Sequence, residues 1–297
     1  MKVNFPAGDT SLKEKTWNDM GERVQIVCPE MIDEGFLTQI RFWANEVLER
    51  TSLPKSVPAP YLMVWKTMDA FQAFSRNEKE ALGVVTGDET EFLATHDAWR
   101  GYPRIHICQE RLMGIPSSVI QGVIHHEIAH ALNHGTLEFY TFTFSKGLQE
   151  AARTCGMDMS LLQQCVYFLS VVIKDREVVQ WLAQIGLGLS QVALLRHLLS
   201  ETEEERRTWE MVRDSGPLKK IALAAFVKVL LPVETLAATQ AEEAQNLRRE
   251  WDEAYSWLRE EERKDLLDLG HRLMNLQGKT FQERLERATF LLIGSDL

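Results

Sequence analysis

Residues 117–135 read Ser117-Ser118-Val119-Ile120-Gln121-Gly122-Val123-Ile124-His125-His126-Glu127-Ile128-Ala129-His130-Ala131-Leu132-Asn133-His134-Gly135. Ser118 can cap a helix start, and Gln121 three residues later completes a capping box. Gly135 stands where a left-handed residue closes a helix, and no proline interrupts the stretch. On such a helix His126 and His130 are one turn apart and leave the same face. Two neutral imidazoles so placed can share a metal ion. Glu127 projects to the side of the pair, where it can hold and deprotonate a metal-bound water.

A catalytic zinc keeps three protein ligands and an open position for water, so one ligand must come from elsewhere. His134 lies on the same face but is eight residues from His126, about 12 Å along a straight helix. Ligand atoms about 2.1 Å from one zinc can be only about 4 Å apart. His134 is therefore read as a residue of the helix end that supports a ligand from behind. His125 points about 100° away from His126 and is read as a packing or hydrogen-bonding residue.

The remaining 297-residue chain is that of an ordinary globular protein, 45% hydrophobic and 26% charged. Its net charge of −10 argues against a nucleic-acid partner, because phosphate backbones require a basic face. The four cysteines are scattered with no C-x-x-C pair, so neither a disulfide framework nor a thiolate metal knuckle is expected. The first residues lack an apolar core of a secretory signal, and the apolar run 161–173 is too short and too polar at Gln163 and Gln164 to span a bilayer. The expected setting is a reducing cytoplasm with no membrane association.

Upstream, Phe36, Ile40, Trp43, Val47 and Leu48 predict a helix over 33–50 in an N-terminal helical lead, residues 1–60. Three prolines within 53–60 mark a connector. A strand at 61–66, a helix at 69–82 ended by Gly83, and β-like runs at 83–86, 91–95 and 102–108 follow. In the last run Ile105 and Ile107 alternate with Arg104, His106 and Cys108, the pattern of a strand with one buried face and an exposed His106. These runs predict a small, mostly antiparallel sheet. Downstream, a buried helix is expected from Ser160, boxed by Gln163, to Gly186. It contains the charged island Lys174-Asp175-Arg176-Glu177. From Ser200 onward every pattern is helical. Leu218–Leu231 is expected to end at Pro232, residues 234–276 form a long amphipathic stretch, and Thr280 with Glu283 caps a helix at 281–293. The fold class is α+β: a metal-binding domain at 61–190 and an all-helical region at 191–297.

A small sheet leading into an H-E-x-x-H helix, with a carboxylate on a later helix, resembles the zincin metallopeptidases of the gluzincin branch. The resemblance covers residues 61–190 and is carried by His126, Glu127 and His130. It implies Zn2+ as cofactor and a third ligand from a downstream helix, in that branch a glutamate. Glu177 is the first choice, because a carboxylate in a buried helix is costly unless it is paired or binds a metal. Asp175, Glu150 and Glu138 are rival carboxylates for the same role. Val178-Val179-Gln180-Trp181 departs from the family pattern, which places an Asp or Asn within a turn of the glutamate; Gln180 or Asp175 could serve instead.

The resemblance implies hydrolysis of peptide bonds in a peptide or protein substrate. Glu127 would act as general base and then proton donor. Tyr140, Tyr167 and His197 are candidates for stabilising the oxyanion, and the strand at 104–108 is a candidate edge for an extended peptide. A different class of function stands beside this one: a regulatory protein that retains the metal site and uses its acidic C-terminal helices to bind a partner or a second copy.

Overall fold

In the computed structural model, residues 24–51, 60–83, 92–200 and 203–294 are described. The chain enters as β1 (Gln25–Val27) and crosses back through α1 (Glu34–Glu49). It then forms β2 (Tyr61–Trp65), α2 (Met68–Leu82), β3 (Ala94–Asp97) and β4 (Arg104–Cys108). Asp33 caps α1 by accepting from Phe36 N, and Gly83 ends α2 at φ 65. Apart from Gly83, the run expected at 83–86 lies outside the described residues. The strand order is β1-β2-β4-β3. β1 pairs with β2, and β2 with β4, in parallel; only β3 runs antiparallel to β4. The sheet is thus mixed rather than mostly antiparallel. Parallel neighbours need a crossover, and α1, read as part of a lead, supplies one of them.

β4 is an inner strand, not the edge expected from its pattern, and all five of its residues are buried. Ile105 and Ile107 face one core. Arg104 and His106 face the other way into a buried polar cluster. Arg104 donates to Glu78 and Asp97, His106 Nε2 donates to Asp97 at 2.8 Å, and Trp65 Nε1 donates to His106 Nδ1 at 3.2 Å. His106 is therefore enclosed, not exposed. The alternation misleads because charged side chains can line a buried face when they satisfy one another. Burial alone would raise the Asp97 carboxyl, but hydrogen bonds from His106 and Arg104 outweigh it and hold it below its ordinary value.

A short turn of helix, α3 (Gln109–Leu112), leads to α4 (Ser117–His134). The start is two residues earlier than the capping box predicts. Pro116 precedes it, and no side chain caps it. Gly135 is not left-handed, with φ −78. Its need for glycine is steric, since a Cβ there would lie 2.1 Å from Ala131 O and 2.8 Å from Pro103 Cβ. After a single 3-10 turn at Leu137–Phe139 come α5 (Lys146–Thr154) and α6 (Met159–Gln184). Asp158, not Ser160, caps α6.

The rest is helical: α7 (Gly188–Leu199), α8 (Glu203–Val212), α9 (Gly216–Leu236), α10 (Ala241–Ala254), α11 (Glu260–Met274) and α12 (Phe281–Ile293). α9 continues through Pro232 instead of stopping there. Leu230, Leu231, Val233 and Leu236 are all buried, and packing on both sides of the proline offsets its missing hydrogen bond. α12 begins as its capping residues predict, with Glu283 N donating to Thr280 Oγ1.

Two cores result. One joins the sheet, α1 and α4; the other joins the helices from α5 onward. β1 and α1 thus share the core of the sheet, and a boundary at residue 190 would cut α7. α6 serves both cores, giving Val178 and Leu182 to the first and Leu169, Val172 and Val179 to the second. Among the described residues no single helix is long and apolar enough to cross a membrane.

α7 packs on α4 across Gly122, where a Cβ would fall 2.4 Å from Ser190 O and 3.0 Å from Leu194 Cβ. Gly122→Ala must push the two helices apart. It should destabilise the fold by about 1–3 kcal/mol, read from chemical denaturation.

Candidate metal centre

α4 has its site face turned toward α6 and β3. His126 Nε2 and His130 Nε2 are 3.0 Å apart. Asp175 Oδ1, from the middle of α6, lies 3.1 Å from His130 Nε2 and 3.6 Å from His126 Nε2. These three atoms form a group of the size that can hold one cation. Ligands about 2.1 Å from a tetrahedral ion are separated by about 3.4 Å, which these spacings match.

Glu177 does not join them. Its carboxylate accepts from His134 Nε2 at 3.1 Å and pairs with Arg284 of α12 at 2.9 Å. The expectation that Glu177 completes the ligand set is therefore corrected in favour of Asp175. The reason is helical phase. Residues three and four away from Asp175 include Val178 of the first core and Val172 and Val179 of the second, so Asp175 lies on the inward side of α6 and meets α4 there. Glu177 is two residues on, about 200° around the helix, and is only half buried. Glu150 and Glu138 are exposed and take no part in the cluster.

The tautomers follow from the partners behind each imidazole. Gln191 Nε2 donates to Gly122 O at 3.0 Å, so Gln191 Oε1 is left to accept from His126 Nδ1–H, also at 3.0 Å. His126 Nε2 then carries a lone pair toward the cluster. On the other side, a carboxylate only accepts, so His134 Nε2 carries the proton shared with Glu177. Burial lowers the His134 pKa, and the neutral ring offers Nδ1 as acceptor to His130 Nδ1–H at 3.3 Å. His130 Nε2 is likewise free to bind a cation. Arg284, Glu177 and His134 thus form a chain of contacts that fixes the His130 ring from behind. Such partners set ligand orientation and basicity.

Electrostatically, a proton and a cation compete for these Nε2 atoms. Burial pushes the Asp175 carboxyl up, but hydrogen bonds from His126 and His130 outweigh it and hold it well below the usual carboxylate range. Burial, with His96 adding to it, drives His130 well below its ordinary value. His126 is shifted the other way: burial lowers it, and Asp175 more than reverses this. A divalent cation would displace the protons shared with Asp175, because it needs an ionised carboxylate and a lone pair on each imidazole.

Glu127 faces β3. Its Oε2 is 2.6 Å from His96 Nδ1, and the His96 ring stacks on His130 with centroids 4.1 Å apart. Tyr140 lies edge-on to His96 at 6.1 Å, and Lys174 Nζ sits 4.9 Å from the Tyr140 ring centre. Of the remaining oxyanion candidates, Tyr167 is half exposed on α6 against Phe168, and His197 lies in the last turn of α7. His125 packs inward as expected, with Ser190 Oγ 2.9 Å from its Nδ1, and burial lowers its pKa to about 4. Sequence reasoning missed His96 and Gln191. His96 directly follows an expected strand, but only the folded sheet lays that strand beside α4. Gln191 carried no signal beyond its place on an apolar helix.

Comparison with protein-family models, with characterised proteins and with solved structures gives no match. The geometry of the centre alone therefore carries the functional reading.

Asp175→Asn should abolish tight binding of a divalent cation, whereas Glu177→Gln should weaken it by about 10–100-fold, the usual effect of removing a ligand's supporting partner. Titration with Zn2+ against a chromogenic chelator measures both. Equal loss in the two variants would mean that Glu177 is itself a ligand.

Proposed function

We propose that the protein is a metal-dependent hydrolase, most simply a zinc peptidase, with His126, His130 and Asp175 as ligands and Glu127 as general base. The observation that carries this reading is the convergence of three ligand atoms with a carboxylate on the adjacent residue of the same helix. Two nitrogens and one carboxylate oxygen form a donor set suited to zinc. Bound there, the ion would lower the pKa of a coordinated water toward neutrality and polarise a carbonyl oxygen.

The chain's own residues then have distinct tasks. Glu127 accepts the proton of the attacking water and passes it to the leaving amine. His96 holds the Glu127 carboxylate through its Nδ1 and fixes the direction in which the second oxygen presents itself. Gln191 and His134 keep the ligating imidazoles in the tautomer that leaves Nε2 unprotonated. The base argues for catalysis over a purely structural ion, which has no use for a carboxylate beside its ligands. A peptide substrate is favoured by β3, which among the described residues is an edge strand, carries His96 and runs beside α4. An extended chain can add to such an edge by main-chain hydrogen bonds.

Glu127→Gln keeps the ligands and removes the base. Metal content by elemental analysis should be unchanged, while turnover of a fluorogenic peptide library should fall by about 10²–10⁴-fold. Full turnover in this variant would overturn the proposal.

A further inference from the structure

Lys174 precedes the ligand Asp175 and is only 7% exposed, yet no described residue gives it a hydrogen bond or an ion pair. Among the described residues its one close partner is the ring of Tyr140. The hydroxyl of that same tyrosine is buried with no hydrogen-bond partner among them. Both groups stand at the metal centre. Tyr140 packs beside His96, which holds Glu127, and the charges of Asp175 and Glu127 both act on the Lys174 ammonium. A buried hydroxyl without a partner is expensive, and an anion drawn by the neighbouring ammonium would complete it.

We propose that Lys174 and Tyr140 form an anion-binding site beside the metal centre and that it receives a carboxylate of the substrate itself. This rests on the metal reading above. A divalent cation and one ammonium outweigh the two carboxylates of Asp175 and Glu127, so the loaded site is net positive. It is also enclosed, with side-chain exposures of 14% and 11% for His126 and Asp175 and of 15% and 11% for His96 and Glu127. An enclosed, positive site selects small anionic substrates over long or neutral ones. A negative oxygen could instead arise only during reaction, as the oxyanion. The substrate's own carboxylate is favoured because the Tyr140 hydroxyl is unsatisfied in the resting protein, where a transient charge offers no relief.

The test uses the full chain loaded with Zn2+ and titrated with acetate, and with acetamide as the neutral isostere, by calorimetry. Acetate should bind and acetamide should not. Lys174→Met should weaken acetate by about ten- to a hundredfold, the worth of a charge-assisted hydrogen bond. Tyr140→Phe, which keeps the ring, should weaken it several-fold. Lys174→Met should also melt no lower than the parent, because it removes a mostly buried charge that has no hydrogen bond or ion pair among the described residues; this a packing role for Lys174 would not give. Peptides with a free C-terminal carboxylate should be cleaved better than their amides, and the preference should vanish in Lys174→Met. Equal losses on acids and amides would place the transient oxyanion there and overturn the substrate assignment. Zn2+ binding with acetate affinity unchanged in both variants would overturn the anion site alone. A parent chain that fails to bind Zn2+ would overturn the metal reading and this site with it.

Discussion

A carboxylate buried among aliphatic side chains is the constraint on which the centre of this molecule depends. Asp175 lies in the middle of α6 with valines one turn to either side, where an uncompensated charge would cost several kcal/mol. Two imidazoles from α4 meet it, and the packing of α4 against α6 brings them there. Without those imidazoles the carboxylate would lose its hydrogen bonds and keep only the charges of neighbouring lysines to offset its own. The same contact therefore fixes the helix pair and builds the candidate metal centre.

Around that contact the polar groups are arranged in layers, each satisfying the one inside it. Gln191 on α7 holds His126, while His134, Glu177 and Arg284 hold His130 from α4, α6 and α12 in turn. The C-terminal helices thus reach the centre through Arg284, although none of them supplies a ligand. On the sheet side, His96 and Asp97 point to opposite faces of β3. The first meets Glu127, and the second anchors the buried cluster of Arg104, Glu78 and His106. A strand fixed on one face by ion pairs is a rigid mount for the His96 that holds the Glu127 carboxylate on the other.

Much of this was legible in the chain. The helix at 117–134, its two imidazoles and its glutamate follow from spacing, because a four-residue repeat has one geometric meaning on a helix. Helical rise also argues His134 away from direct ligation, and in the fold its Nδ1 lies 3.3 Å from His130 Nδ1. The α+β division and most helix limits are encoded by caps and periodicity, as at Asp33, Gly83 and Thr280. The parallel pairing of β1, β2 and β4 was not legible, since strand order is set by non-local contacts. Nor was the burial of Arg104 and His106, whose charges find their partners on other elements.

The sequence by itself determined that two imidazoles one turn apart and an adjacent glutamate share one helix, because that arrangement is local and needs only the turn of the backbone. Only the tertiary structure decided which carboxylate faces them. Asp175 and Glu177 are two residues apart and chemically alike, and local sequence offers both. The packing of α6 between two cores sets its rotation. That rotation turns Asp175 inward to His126 and His130 and leaves Glu177 to brace His134 from the side.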